Sequence, residues 1–444
     1  MDVLDALIAP FYLMLVLFLA YKYKAKHQHK HEAYQYFIPG LLAKIIGAIC
    51  LGLVYYYYYG GGDTINYFNT ASAFVDLFYS NKSEFMHIYF GDPFYSEYYL
   101  VKGDANFIYW VNDPYAFFVS KCFFPIVLLG AKSYMASAII VAALCYISVW
   151  QLYMLFVNEF PTLYKEFAFS ILFVPSVTFW GSGIMKDSLS FSAACLYVHG
   201  FYWFIINKRY TFSNAFSIFF SAFLLIFVKP YILFALLPGS IVWFVALKVV
   251  NIKNGLVKIL LAPAIITVGG LITFSLMNNL GDKLGKYSID KVFDTAHGAQ
   301  QDLKQSYYKG NTFDIGDYEP TLTGLLSVSH KAVFAALFRP TFLDVRNVIM
   351  LFSALENTFL LFFCLYLLIK LRVYRFFLLI RSHPLALFSM IFALFFALSV
   401  GVSISNFGTL VRLKIPCIPF FISSLVIVNY LMVTKNKTVP APAV

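Results

Sequence analysis

Charge is what this sequence has least of. Only 12% of its 444 residues are Asp, Glu, Lys or Arg, while 61% are hydrophobic; soluble domains carry about 25% charged residues. That deficit excludes a globular enzyme built round one aqueous-facing core. Several other features are missing. There is no P-loop, no GxGxxG ahead of a strand, no HExxH and no GxSxG, which speaks against ATP-driven transport and zinc hydrolysis. The six cysteines (50, 122, 145, 195, 364 and 417) form no CxxC pair, so neither a disulfide framework nor a zinc site is implied. No cofactor is implied either, and a divalent metal is left open. No small-residue cleavage site follows the first apolar block, which therefore reads as a retained span and not a signal peptide. No repeat or low-complexity tract is evident.

What is present is apolar sequence in long blocks. A helix needs about 20 apolar residues to cross the hydrocarbon core. Continuous runs, as opposed to alternating ones of about ten residues, reject a barrel. The expected fold is an all-α, polytopic transmembrane bundle of about eleven spans (ten to twelve). They fall near residues 7–21, 38–58, 134–157, 166–181, 188–206, 213–228, 231–250, 258–278, 346–369, 384–402 and 413–432. The chain then divides into two N-terminal helices (1–59), a first long loop with interfacial helices (60–133), a central bundle (134–278), a second long loop (279–345), C-terminal helices (346–433) and a disordered tail (434–444).

The formal charge of +11 is scattered in short clusters between spans, a pattern that marks orientation and argues against nucleic acid as a partner. Five clusters (Lys22–Lys30, Lys208–Arg209, Lys248–Lys258, Lys370–Arg381 and Lys435–Lys437) can all be cytoplasmic if 115–157 crosses the membrane once. Residues 115–130, with Lys121 and Pro125, then form an interfacial or re-entrant segment. Both long loops fall outside, as do the turns at 180–187, 229–230 and 403–412. The first loop holds seven acids against four lysines, as an outer loop would. The expected location is the cytoplasmic (inner) membrane.

Candidate chemistry gathers on that outer face. Tyr55–Tyr59 lead into Gly60-Gly61-Gly62-Asp63 and Tyr67. Tyrosines suit a membrane boundary, glycines let the backbone turn sharply, and a carboxylate just past a span can act as a general base. The plainer reading of Asp63 is a helix-end acid. Asp104 and Asp113 are secondary carboxylates in an aromatic loop whose rings anchor at the interface or stack on sugars. Trp180–Asp187 breaks an apolar stretch with two glycines and the Lys186-Asp187 pair, where a phosphate can bind or Asp187 can cap a helix. Lys229 either snorkels or reaches a phosphate. Arg339 and Arg346 flank the end of the second loop, and Arg412 and Lys414 divide the last spans. Arginine's planar fork matches phosphate oxygens.

The Gly-Gly-Asp63 opening with Tyr67 downstream resembles the GT-C class of integral-membrane glycosyltransferases, as does the Trp180–Asp187 turn. The run Asn406-Phe407-Gly408-Thr409-Leu410-Val411-Arg412 before Pro416 is similar to the C-terminal region of O-antigen polymerase-like proteins. The extra span before Asp63 and the lack of a second acid beside it depart from the GT-C pattern. The resemblance implies inverting transfer of a sugar from a polyprenyl-phosphate donor to a glycan, lipid or protein acceptor. Asp63 would be the base, and Lys186, Arg339 or Arg412 would hold the leaving phosphate; Tyr67, Asp104, Asp113, Asp187, Lys229 and Arg346 would line the substrate. The alternatives are a polymerase joining lipid-linked oligosaccharides and a sugar or lipid transporter. The latter expects mid-membrane charges and paired broken helices.

Overall fold

A computed structural model describes residues 3–91, 110, 113–250, 275, 291–305, 311–346 and 348–437. Asp104, the expected span at 258–278 apart from Ser275, and residues 438–444 lie outside these. Among the described residues no strand forms, and one isolated antiparallel bridge joins Thr312 to Asn406. Seven helices among the described residues are long and apolar enough to cross a membrane: Asp5–Lys30, Glu32–Tyr58, Tyr134–Glu159, Lys186–Ile206, Pro230–Lys248, Met350–Ser382 and Pro384–Ser403. An eighth arises if Phe407–Leu413 and Ile418–Thr434, bent by 66°, count as one broken span. Of the eleven expected spans, 258–278 lies outside the described residues apart from Ser275, and two others are interrupted or short. The segment 166–181 is broken by a π-turn and by Pro175, and Phe212–Val228 is a shorter helix.

The exposed surface shows why such helices need lipid. Leu7, Phe11, Met14 and Phe18 share one face of the first helix, and Phe352, Phe359, Phe362 and Ile369 another. Helical spacing makes each set a continuous apolar stripe, larger than a monomer in water tolerates. The protein is a polytopic helical membrane bundle.

The chain forms two compact units, Met1–Lys229 and Pro230–Val444. The first contains α1 (Val3–His27), α2 (Phe37–Leu53), α3 (Asp63–Ser80), α4 (Lys82–Phe90), α5 (Pro114–Leu129), α6 (Tyr134–Glu159), α7 (Tyr164–Phe167), α8 (Pro175–Trp180), α9 (Lys186–Phe201) and α10 (Phe212–Val228). Pairings along α2 and α6 fix their antiparallel course. Tyr134 meets the ring of Tyr56, Tyr146 donates to the Phe37 carbonyl at 2.8 Å, and Trp150 meets Tyr34. One end of this unit therefore holds Asp5, whose Oδ1 accepts from Ser133 Oγ at 2.6 Å, together with Tyr55 to Asp63 and Tyr134. The other end holds the Lys22–Lys30 cluster, Glu159 and, through Tyr202 donating to Glu159 at 2.6 Å, the Lys208–Arg209 pair.

Helix α5 starts at Asp113 beside Lys186 and finishes just before Ser133. Both its ends thus lie at the Asp63 end, the arrangement expected if 115–157 crosses once. It packs with α3 through Phe74 and Phe117, 5.5 Å between ring centroids, and caps that end of the bundle.

Glycine decides how closely α2 approaches α8. A Cβ on Gly47 would stand 2.0 Å from the Thr178 carbonyl oxygen, a backbone atom that cannot swing away. Gly47→Leu is expected to cost at least about 3 kcal/mol, the upper range for overpacking. Thermal unfolding in detergent checks this, and Ala should be the milder change.

The second unit contains α11 (Pro230–Val250), α12 (Val292–Leu303), α13 (Leu322–Phe338), α14 (Val348–Ser382, kinked at Arg372 with φ 59°), α15 (Pro384–Ser403), α16 (Phe407–Leu413) and α17 (Ile418–Lys437). Tyr231 stacks near Phe396 and Trp243 near Phe388, so α11 and α15 run antiparallel. Charge again separates. Lys248, Lys370, Arg375 and Arg381 lie toward one end, while the 311–346 segment and the 404–417 turn lie toward the other.

Candidate functional site

Three glycines build the approach to Asp63. Gly60, Gly61 and Gly62 have φ of 67°, 150° and 122°, a region closed to most L-residues. A Cβ on Gly62 would lie 2.8 Å from the Tyr55 ring. The chain can then reverse from the π-turn at Val54–Tyr58 straight into α3, whose first residue is Asp63. An acid in that position complements the positive end of a helix. Asp63 is partly exposed. Tyr67, one turn on, is 1% exposed and stacks on Trp110 at 5.0 Å, so its ring belongs to the packing under Asp63 and does not face an open surface.

Trp110 leads on to the next expected residue. Its carbonyl accepts from the Asp113 amide at 3.1 Å. Asp113 caps α5, with Oδ1 accepting from the Tyr115 and Ala116 amides at 3.0 and 3.1 Å. Its other oxygen meets Lys186 Nζ at 3.2 Å, and both side chains remain partly exposed. The next residue, Asp187, faces inward. Its Oδ1 accepts from Lys229 Nζ at 2.5 Å, with 1% and 7% of the two side chains exposed. The sequence offers Lys186 as a phosphate ligand, Asp187 as its neighbour in that site or a helix cap, and Lys229 as a snorkelling or phosphate-reaching lysine. In the fold they form, with Asp113, two adjacent ion pairs of opposite direction at the start of α9.

Tyr55 joins these pieces. Its ring lies against Gly62 on one side and edge-on to Trp180, at 6.5 Å, on the other. Asp63 and the turn that carries Lys186 are therefore neighbours at one end of α2. Lys44 supports the same turn from inside the bundle: it is buried, its Nζ donates to the Gly181 carbonyl, and it stands 5.2 Å from the Phe191 ring. Sequence reasoning missed Lys44. Its signal was a lone lysine within an otherwise apolar span.

In the second unit Arg339 is heavily engaged. Nε and Nη2 form a fork on the two Asp344 oxygens, Nε at 3.1 Å. The guanidinium lies 5.3 and 5.0 Å from the Phe313 and Phe407 rings, which stack on each other. The Arg339 carbonyl accepts from buried Lys414 Nζ at 3.2 Å, and Lys414 also reaches Asn357 at 2.7 Å. Arg339 and Lys414 thus tie the end of the second long loop to the turn before α17. Arg346 is exposed, and Arg412 lies part-buried on α16.

Burial alone would raise the Asp344 carboxyl, but the Arg339 guanidinium and the Thr341 amide and hydroxyl outweigh it and hold it below the ordinary 3.8. A depressed acid contributes stability above the unfolded value and loses it as pH falls through the folded one. Asp344→Asn is expected to cost about 1–3 kcal/mol at neutral pH. The gap from the wild type should narrow as pH drops below 3.8, which melting curves across pH would show.

Among the described residues no cluster of His, Cys, Asp and Glu could hold a metal ion. No family model, no curated protein and no solved structure matches the chain.

Proposed function

We propose that the protein is an integral-membrane glycosyltransferase that takes its sugar from a polyprenyl-phosphate donor and works at the membrane face bearing Asp63. The observation that carries this is the Tyr55 ring, which touches both the glycine hinge before Asp63 and Trp180, the residue that opens the turn leading to partly exposed Lys186, where apolar helices end. In each unit the basic clusters lie opposite the candidate groups. By the positive-inside tendency those clusters are cytoplasmic, so the Asp63 end is extracytoplasmic, facing cell-surface glycan assembly.

Asp63 takes the proton from an acceptor hydroxyl as that oxygen bonds to the anomeric carbon. The bond from that carbon to the phosphate oxygen breaks on the opposite face, with inversion. Lys186, released from Asp113, meets the negative charge gathering on the polyprenyl phosphate. The lipid tail lies along the apolar helix surface, which gives such an enzyme its reason to be embedded.

Polyprenyl-phosphate hexoses and pentoses, offered with a hydroxyl acceptor to the protein in nanodiscs, test the proposal. Protein-dependent release of polyprenyl phosphate from at least one donor is the expected result. Passage of a sugar or lipid across a vesicle wall with no bond broken would replace this reading with a transporter.

A further inference from the structure

The second unit holds a group of buried polar atoms that the proposed chemistry does not use. Gln300 on α12 is fully buried, and neither Oε1 nor Nε2 meets a hydrogen-bond partner in the protein. One turn earlier on the same helix, His297 Nδ1 is also without one, as is the Oγ of buried Ser405. These three are linked through a single seam. The His297 ring meets the Tyr318 ring edge-on at 5.2 Å, and Tyr318 donates to the Val402 carbonyl at 3.1 Å. Three residues on, the Ser405 carbonyl accepts from the Phe313 amide at 2.8 Å. Residues three apart on a helix share a face, so His297 and Gln300 both lie on the side of α12 that meets this seam.

Buried amides are almost always paired. An amide with both ends unpaired, on the same helix face as an unpaired imidazole nitrogen and across a seam from the segment that carries an unpaired hydroxyl, is a set of donors and acceptors awaiting a partner. The chemistry of that partner can be read from the set. An amide both donates and accepts, and so does a hydroxyl. No cation in the group recruits an anion, and the described residues hold no metal cluster. A buried set that donates and accepts without net charge matches vicinal hydroxyl groups, each of which does the same.

We propose that the seam between α12 and the 402–405 segment is a subsite for one neutral, hydroxyl-rich sugar unit, read by Gln300, with His297 and Ser405 as supporting contacts. This rests on the glycan-directed function above and specifies where a sugar is recognised away from the reacting carboxylate.

The test is saturation-transfer NMR on the full chain in nanodiscs, with soluble methyl hexopyranosides, methyl pentofuranosides and short oligosaccharides as probes. At least one probe should bind the wild type, and Gln300→Met and Ser405→Ala should each weaken it tenfold or more. The melting temperature of Gln300→Met should not fall, because an apolar chain replaces an orphaned amide. Should that variant fail to fold, Ser405→Ala, the smaller change, carries the test. No binding to the wild type overturns the proposal. Equal binding by both variants also overturns it, since the polar atoms then meet only buried water. Asp63→Asn separates this idea from the last: it should keep probe binding. If it also keeps full transfer, the base assignment falls and the subsite stands.

Discussion

Asp187→Ala is expected to be among the most damaging single substitutions in this chain. It leaves the Lys229 ammonium 7% exposed at the end of α10 without its carboxylate 2.5 Å away. Removing one member of a buried pair typically costs about 3–5 kcal/mol, because the remaining charge stays desolvated. Set against a total stability of about 5–15 kcal/mol, that is enough to lower the folded yield sharply. The double change Asp187→Leu with Lys229→Met should recover most of the loss, since two apolar chains of similar volume carry no desolvation penalty. Melting temperatures of the single and double variants in one detergent decide it. A single variant within about 1 kcal/mol of wild type, the scale of an exposed pair, would show that the pair is solvated.

The second large effect is on turnover. Asp63→Asn keeps the shape of the side chain and its place at the start of α3, but removes its capacity to take a proton. Loss of a positioned general base costs about 10²–10⁴-fold. The loss should fall on kcat with KM for the donor little changed, because the carboxylate acts on the acceptor hydroxyl in the transition state and not on the bound donor. Lys186→Met should lower turnover by another route, weakening the hold on the leaving phosphate, and Asp113→Asn less, since it frees Lys186 while the asparagine oxygen still caps α5. An Asp63→Asn protein within threefold of wild type in polyprenyl phosphate release would reduce Asp63 to a helix-end acid.

Much of this was readable in the residue order. Gly60-Gly61-Gly62-Asp63 announces a sharp reversal, and the positive φ values of all three glycines follow from it. Lys121, Pro125 and a short apolar run set 115–130 apart as an interfacial or re-entrant segment, and α5 begins and ends at the same side of its unit. Pairing was not legible. Nothing in the order of residues says that Lys229 reaches back 42 positions to Asp187, that Lys186 takes Asp113 across 73, or that Arg339 spends its fork on Asp344. Each reads in isolation as an available cation, because sequence reports a charge and not its neighbour. Helix breaks were hidden for a related reason: hydropathy sees 166–181 as continuous, while Pro175 and the π-turn before it interrupt the helix.

Membrane-impermeant thiol labelling of single cysteines, introduced into a chain whose six native cysteines are replaced, tests the central claim that chemistry and basic charge occupy opposite faces. Tyr59→Cys and Leu343→Cys sit at exposed positions on the candidate-site ends of their units, and Lys208→Cys and Arg375→Cys at exposed positions on the basic ends. In intact cells the first two should label and the last two should not, until the membrane is opened. Labelling of Lys208→Cys in intact cells with protection of Tyr59→Cys would put Asp63 on the cytoplasmic side and contradict the account.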